Sequence, residues 1–316
     1  MEVLMLCPAN VATGGTESIH RACNEMNKRR GIKAKIFYKR VTDKCPQPTE
    51  YAEYDCDYVT ELPEGFTGAV VFPEIWADQC IEPEYDKCVK AINWAGVDVY
   101  SWNVPKDKRF QFMQAKNVIH LAHSAYAVDY LNGLGIPETD IFRFSGNLNQ
   151  SFFKLYDEVE RTDIVLYNPV KRTEFDNRVI SLAKAQGIIL KPIEKMTREQ
   201  VIETMHQSKL YIDFGLFSGR ERLPREAALC GCCVLTSRSG AAGYYKDVPI
   251  PDLYKFDIHS TDPQVVINMI KIILANYKDH YHEFDYYRKS LRQDMKNFPE
   301  ECKAVAKEMI RRYNEI

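Results

Sequence analysis

The sequence predicts an α/β protein made of two doubly wound domains in tandem, and three observations carry that expectation. Short apolar runs of strand length alternate with longer stretches of helical periodicity, and the series occurs twice. A glycine pair, Gly14-Gly15, follows the first apolar run, where a strand gives way to a helix. Regularity lapses around residues 143–156 into Ser, Asn, Gly, Gln and aromatic residues before a fresh series begins.

Residues 3–7 have a buried-strand pattern, and residues 16–30 carry apolar side chains at helical spacing until Gly31 stops them. Residues 33–38 read as the second strand. Further strands are expected at 69–72, 97–101 and 118–122, alternating with helices near 84–95 and 125–134. In the second series, strands at 163–167, 188–192, 210–214 and 232–236 alternate with helices at 174–186, 197–206 and 224–230. From Pro263 the tail is mostly helical, and residues 300–313 have an amphipathic pattern suited to packing back across the first domain. The expected division is 1–150, 151–290 and a returning helix at 291–316. Two Rossmann-like sheets in tandem are expected to present their carboxyl ends to a central cleft, where α/β folds bind ligands.

The 316 residues, 45% of them hydrophobic, supply real cores and exclude a disordered chain. Charge is nearly balanced, with 42 Lys+Arg against 44 Asp+Glu, so no field draws the whole molecule onto nucleic acid. Ten scattered cysteines, several inside apolar runs, read as small hydrophobes in a reducing, cytoplasmic setting. The cluster Cys230-Gly231-Cys232-Cys233 lacks a second ligand pair at zinc spacing, which favours core packing over a structural metal. The start of the chain reads as a strand and lacks the pattern of a signal peptide. No apolar stretch approaches bilayer length, so membrane contact is expected to be peripheral at most, at the inner face.

Several residues have the chemistry of a site. Gly14 and Gly15 permit close approach of an anion to helix-start N–H groups, or simply make a tight turn with Thr16 capping the helix. Neither a dinucleotide fingerprint nor a P-loop ending is present, which removes support from dehydrogenase and P-loop readings. Lys171 and Arg172 follow a strand and suit a diphosphate, the one as a compact charge and the other as a fork. Glu74 follows a first-domain strand, where a carboxylate can orient or deprotonate a hydroxyl. His120 and His123 alternate near the next strand end, and His123 is the candidate of the two. Asp55-Cys56-Asp57 superficially matches a metal-binding Asp-x-Asp pattern but adjoins no persuasive strand end.

The most informative stretch is Tyr211-Ile212-Asp213-Phe214-Gly215 followed by Ser218-Gly219-Arg220-Glu221-Arg222-Leu223-Pro224-Arg225-Glu226-Ala227-Ala228-Leu229-Cys230-Gly231. A strand, a polar loop and a Pro-x-Glu-Ala helix in this order resemble the donor half of retaining GT-B glycosyltransferases, the large group 1 type that includes bacterial polysaccharide enzymes. The resemblance implies that Glu226 accepts hydrogen bonds from ribose hydroxyls and that Lys171 binds diphosphate. It extends through Ser239-Gly240-Ala241-Ala242-Gly243 and, in the first half, through Ser124, Gly135-Ile136-Pro137, Asn147 and Phe153.

One departure matters. The family's earlier glutamate is replaced by Ser218, Glu221 lies too close to substitute directly, and Arg220, Arg222 and Arg225 crowd the loop. This implies a variant donor loop in which arginines, Arg220 and Arg225 among them, touch phosphate or an acidic sugar, or else form helix-start salt bridges. The function implied is retaining, metal-independent transfer from a nucleotide-diphosphate sugar to the hydroxyl of a glycan, lipid-linked or other acceptor, with no cofactor, in surface polysaccharide or glycan synthesis. The rivals are a GT-B nucleotide-sugar epimerase, which needs no acceptor, and a non-catalytic nucleotide-sugar-binding protein.

Overall fold

The computed structural model describes residues 1–42, 45–146, 148–154 and 160–316. Asn147, one of the residues in the resemblance above, lies outside them. The chain divides into two compact units, Met1–Asn147 with Asp294–Ile316, and Leu148–Gln293.

The first unit is built on strands β1 (Glu2–Pro8), β2 (Lys33–Lys39), β3 (Tyr58–Val59), β4 (Ala69–Pro73), β5 (Val89–Trp94), β6 (Val118–Ala122) and β7 (Ile141–Arg143). They form one parallel sheet in the order β3-β2-β1-β4-β5-β6-β7. Its helices are α1 (Gly14–Asn27), α2 (Val97–Asn103) and α3 (Ala125–Gly133). Strands buried on both faces explain the near-continuous apolar runs. Val3, Met5 and Cys7 of β1 face a layer containing Ile19, Cys23 and Met26 of α1. Leu4 and Leu6 face the opposite layer, with Trp76, Tyr85 and Tyr100.

The second unit holds β8 (Thr162–Tyr167), β9 (Ile189–Pro192), β10 (Ser208–Asp213), β11 (Cys233–Ser237) and β12 (Lys255–Phe256), parallel in the order β12-β11-β10-β8-β9. Helices α4 (Glu174–Ala185), α5 (Arg198–Gln207), α6 (Arg222–Leu229), α7 (Pro263–Ala275) and α8 (Tyr277–His282) connect and flank these strands. The last helix, α9 (Asp285–Tyr313), contains Pro299. Its Phe298, Cys302, Val305 and Met309 recur at helical spacing and join the β1–α1 core, so the tail packs back onto the first unit as expected.

Two elements differ from expectation. Residues 84–95, expected as a helix, hold a short 3-10 turn (Pro83–Tyr85) and then strand β5, with Cys88 N donating to Tyr85 O at the turn. Residues 97–101, expected as a strand, begin helix α2, whose buried Val97 and Tyr100 stand three apart on one helical face. The α1 cap also differs. Thr13, not Thr16, is the N-cap, and Thr16 completes a capping box with it. All ten cysteines are free thiols and nine are buried, which agrees with core packing. Among the described residues no helix is long and apolar enough to cross a membrane.

Candidate active site

In doubly wound sheets ligands bind beyond the carboxyl ends of the strands, where the strand order reverses. In the first unit that point lies between β1 and β4, and in the second between β8 and β10. Gly14, Gly15, Glu74, His123, Lys171 and Arg172 follow the carboxyl ends of strands, whereas Asp55 and Asp57 precede β3 and adjoin no such end.

In the second unit, the loop after β8 carries Lys171 and Arg172, and the loop after β10 leads into α6. Lys171 Nζ lies 2.7 Å from Glu221 Oε2, so the two loops meet through an ion pair whose lysine is half-exposed. Arg172 is exposed and donates from Nε to Pro169 O at 3.1 Å. Glycine is required at the junction: a Cβ on Gly215 would stand 2.9 Å from Lys171 O and 3.1 Å from Asp213 Oδ1. Ser237 Oγ donates to Gly215 O at 2.8 Å and ties in the loop after β11.

Helix α6 starts after Glu221, whose side chain makes no capping bond to it. Glu226 is 1% exposed, and its Oε1 is 3.2 Å from Arg222 Nε one turn back. Arg225 donates from Nε to Glu221 O at 3.1 Å, and Arg220 is buried. Arg222 thus makes a salt bridge within the helix, the alternative weighed for this loop.

The sequence reading did not include Asp213, Thr236 or Lys255 among the site residues. Register places them in one row across β10, β11 and β12. Asp213 accepts from Gly215 N at 3.1 Å and from the Tyr211 hydroxyl at 3.1 Å. Burial, with Glu221 nearby, pushes its carboxyl up to about 7. Burial also lowers the Lys255 ammonium to about 8. Thr236 Oγ1 is buried and makes no hydrogen bond to a described residue. Asp176 of α4 accepts from Phe214 N at 3.0 Å and from the Thr173 hydroxyl at 2.6 Å, fixing the β10 end against the α4 start.

In the first unit, Gly14 and Gly15 are exposed and occupy the first turn of α1, at the reversal point. Glu74 follows β4, is 8% exposed, and accepts hydrogen bonds from its own N–H and from those of Ala95 and Gly96. Burial raises its carboxyl to about 7 against those donors. His123 follows β6 and pairs through Nε2 with Asn93 Oδ1 at 2.6 Å, beside Gly146, whose φ of +61° no side chain adopts easily. His120 points into the core, where Trp94 Nε1 donates to its Nδ1 at 3.0 Å and burial lowers it to about 4. It is a satisfied core histidine. Among the described residues, no group of three His, Cys, Asp or Glu side chains is placed to hold a metal ion.

Stability should depend on pH through Asp213 and Glu74. Both carboxyls sit above their ordinary range when folded, so the folded state binds more protons than the unfolded state across that interval. Their contribution is most favourable below about pH 4 and is lost as pH rises through about 7. Urea midpoints are expected to fall from pH 5 to pH 8, with a shallower fall in Asp213→Asn. An unchanged slope in that variant contradicts the assignment.

No protein-family model matches the chain, and no curated protein matches it in sequence. Solved structures do match in fold. HepE of Anabaena in complex with UDP superposes with a TM-score of 0.65 at 10% identity, covering 100% of both chains. Sucrose-phosphate synthase from Thermosynechococcus elongatus gives 0.65 at 11% identity over 99% of this chain and 98% of its own. UDP-GlcNAc 2-epimerase from Neisseria meningitidis bound to UDP-GlcNAc gives 0.56 at 14% identity over 98% and 100%. What is shared at such low identity across nearly whole chains is architecture, and the fold of this chain is GT-B.

Proposed function

We propose that the chain is a glycosyltransferase that moves a sugar from a nucleotide-diphosphate sugar to an acceptor hydroxyl, with retention and without a metal. The observation that carries the reading is the meeting of Lys171 with the start of α6 at the reversal point of the second sheet. HepE is seen with UDP on the same fold, which supports a nucleotide diphosphate as the ligand class.

In this reading the second unit is the donor domain. Glu226 accepts from the ribose hydroxyls, and the diphosphate displaces Glu221 from Lys171, with Arg172, Arg220 and Arg225 adding positive charge. As the bond from the anomeric carbon to the diphosphate oxygen breaks, its electron pair stays on the diphosphate. Fixed cations stabilise that developing charge more than they stabilise the ground state. The first unit is the acceptor domain. Gly14 and Gly15 leave helix-start N–H groups open to an anion. Glu74, held near neutrality, takes the acceptor proton as the new glycosidic bond forms, and His123 orients the hydroxyl.

The epimerase reading keeps support from the UDP-GlcNAc 2-epimerase match. Incubating the protein with each nucleotide sugar that it binds, with and without acceptors, separates the two. Product formed only with acceptor, with the donor's anomeric configuration by NMR, is expected. Donor converted without acceptor favours the epimerase, and an inverted product overturns retention.

The acceptor setting we propose is the inner face of a membrane, reached by peripheral contact. Trp102, Phe110 and Met113 are exposed, and Lys106 and Lys108 stand exposed between them. Arg109 donates to Ser101 O and Val104 O and folds this segment back on α2. Aromatic side chains with lysines suit an anionic headgroup layer, each lysine contributing about 1 kcal/mol. Trp102→Ser combined with Lys108→Glu is expected to cut co-sedimentation with anionic vesicles at least fivefold. Equal co-sedimentation would remove this surface from the account.

A further inference from the structure

The opposite edge of the first sheet, where β5 and β6 begin, carries a second polar concavity that the transferase reading leaves unused. It is a cavity of about 480 Å³ lined by Asp86, Lys90, Gln114, Lys116, Asn117 and Arg312 among others. That volume lies within the range of small-molecule sites, roughly 300–1,000 Å³.

Lys90 is the anomaly. It sits in β5 between Val70 of β4 and Val118 of β6, on a strand whose six residues are all buried, and is itself 8% exposed. Alternation along β5 puts it on the face of Ile92 and Trp94, in the layer that contains Tyr85 and Cys88. With its stem buried this deeply, the ammonium can be solvated only through the cavity, where an anion or acceptors would stabilise it. The Lys90 backbone belongs to the sheet, but no hydrogen bond or ion pair joins its ammonium to a described residue. The cavity is the opening onto which it gives.

Its neighbours separate into committed and available groups. Arg312 is engaged, with Nη2 2.6 Å from Asp140 and Nε 2.7 Å from Glu308. Lys116 is exposed at the rim and, like Lys90, has no partner among the described residues. Two available lysines therefore line the cavity together with the carboxylate of Asp86 and with Ile316, and the amides of Gln114 and Asn117 add donors and acceptors.

We propose that this cavity binds a compact phosphate-bearing anion, inorganic phosphate or a phosphomonoester, with Lys90 as its buried counter-cation and Lys116 closing on it from the rim. The site lies within the first unit and does not depend on the nucleotide-sugar reading. Asp86, acceptor-only when ionised, suits the hydroxyls of a phosphorylated polyol.

The test is calorimetric titration with inorganic phosphate and with glucose 1-phosphate at constant ionic strength, in the wild type, Lys90→Met, Lys116→Gln and Lys171→Ala. Saturable binding is expected in the wild type and in Lys171→Ala, weakened at least tenfold in Lys90→Met and measurably in Lys116→Gln. Tighter binding of glucose 1-phosphate assigns the site to phosphomonoesters, and equal or tighter binding of phosphate assigns it to the free anion. No saturable binding, or loss in Lys171→Ala alone, overturns the proposal. Should Lys90→Met fail to fold by circular dichroism, Lys116→Gln decides, because that side chain is exposed. Unchanged affinity there also overturns the proposal.

Discussion

Glu226→Ala is expected to weaken binding of the donor nucleotide about 100-fold while leaving the thermal midpoint within a few degrees of the wild type. A carboxylate accepting from both ribose hydroxyls makes two hydrogen bonds to a charged group, each worth about 1.5–3 kcal/mol, and the low end of their sum, about 3 kcal/mol, is a factor of somewhat over 100. Stability should move little for a separate reason. Glu226 is almost fully buried and Arg222, one of its partners, is half-exposed, so removing the carboxylate relieves a desolvated charge while water reaches that arginine. Arg222→Ala is the control, expected to keep nucleotide affinity within about threefold. Calorimetry on both variants checks the contrast. Equal losses in the two would mean that the salt bridge, and not a ribose contact, is what Glu226 supplies.

Gly215→Ala should harm both stability and binding. The new Cβ would stand 2.9 Å from the Lys171 carbonyl, a backbone atom that can retreat only by moving the loop after β8. It would also crowd Asp213 Oδ1, which accepts from Gly215 N. Overpacking of this kind costs about 1–3 kcal/mol. The displaced loop carries Lys171 and Arg172, so nucleotide affinity should fall with stability. Val170→Ala, on the same loop but 84% exposed, should change neither by much. Urea unfolding and calorimetry together decide, and wild-type behaviour of Gly215→Ala on both contradicts the described junction.

Much of the architecture was legible because parallel strands buried on both faces leave long apolar runs, and capped amphipathic helices separate them. The failures have local causes. Around residues 84–95, Asp86, Lys87 and Lys90 imitate the polar face of a helix, yet Lys90 is a cation inside a buried strand, which no periodicity rule anticipates. Residues 97–101 alternate like a strand, while Gly96 before them and the burial of Val97 with Tyr100 make them helical.

The candidate site divides in the same way. Lys171, Glu226 and the arginines were visible because they lie on short stretches with an ordered pattern. The row of Asp213, Thr236 and Lys255 spans three strands separated by long connections, so only sheet order and register bring it together. The pairing of Lys171 with Glu221 crosses fifty positions. Its one sequence signal was an unassigned glutamate at the start of a helix, within a loop otherwise crowded with arginines.

The central claim is that the carboxyl edge of the second sheet binds a nucleotide diphosphate. Titration calorimetry of the wild type and Lys171→Ala against UDP, GDP, ADP and their sugar conjugates tests it most directly. The account predicts saturable binding of one nucleotide family in the wild type, weakened at least tenfold in Lys171→Ala. Absence of binding to every nucleotide, or binding indifferent to Lys171, would contradict it.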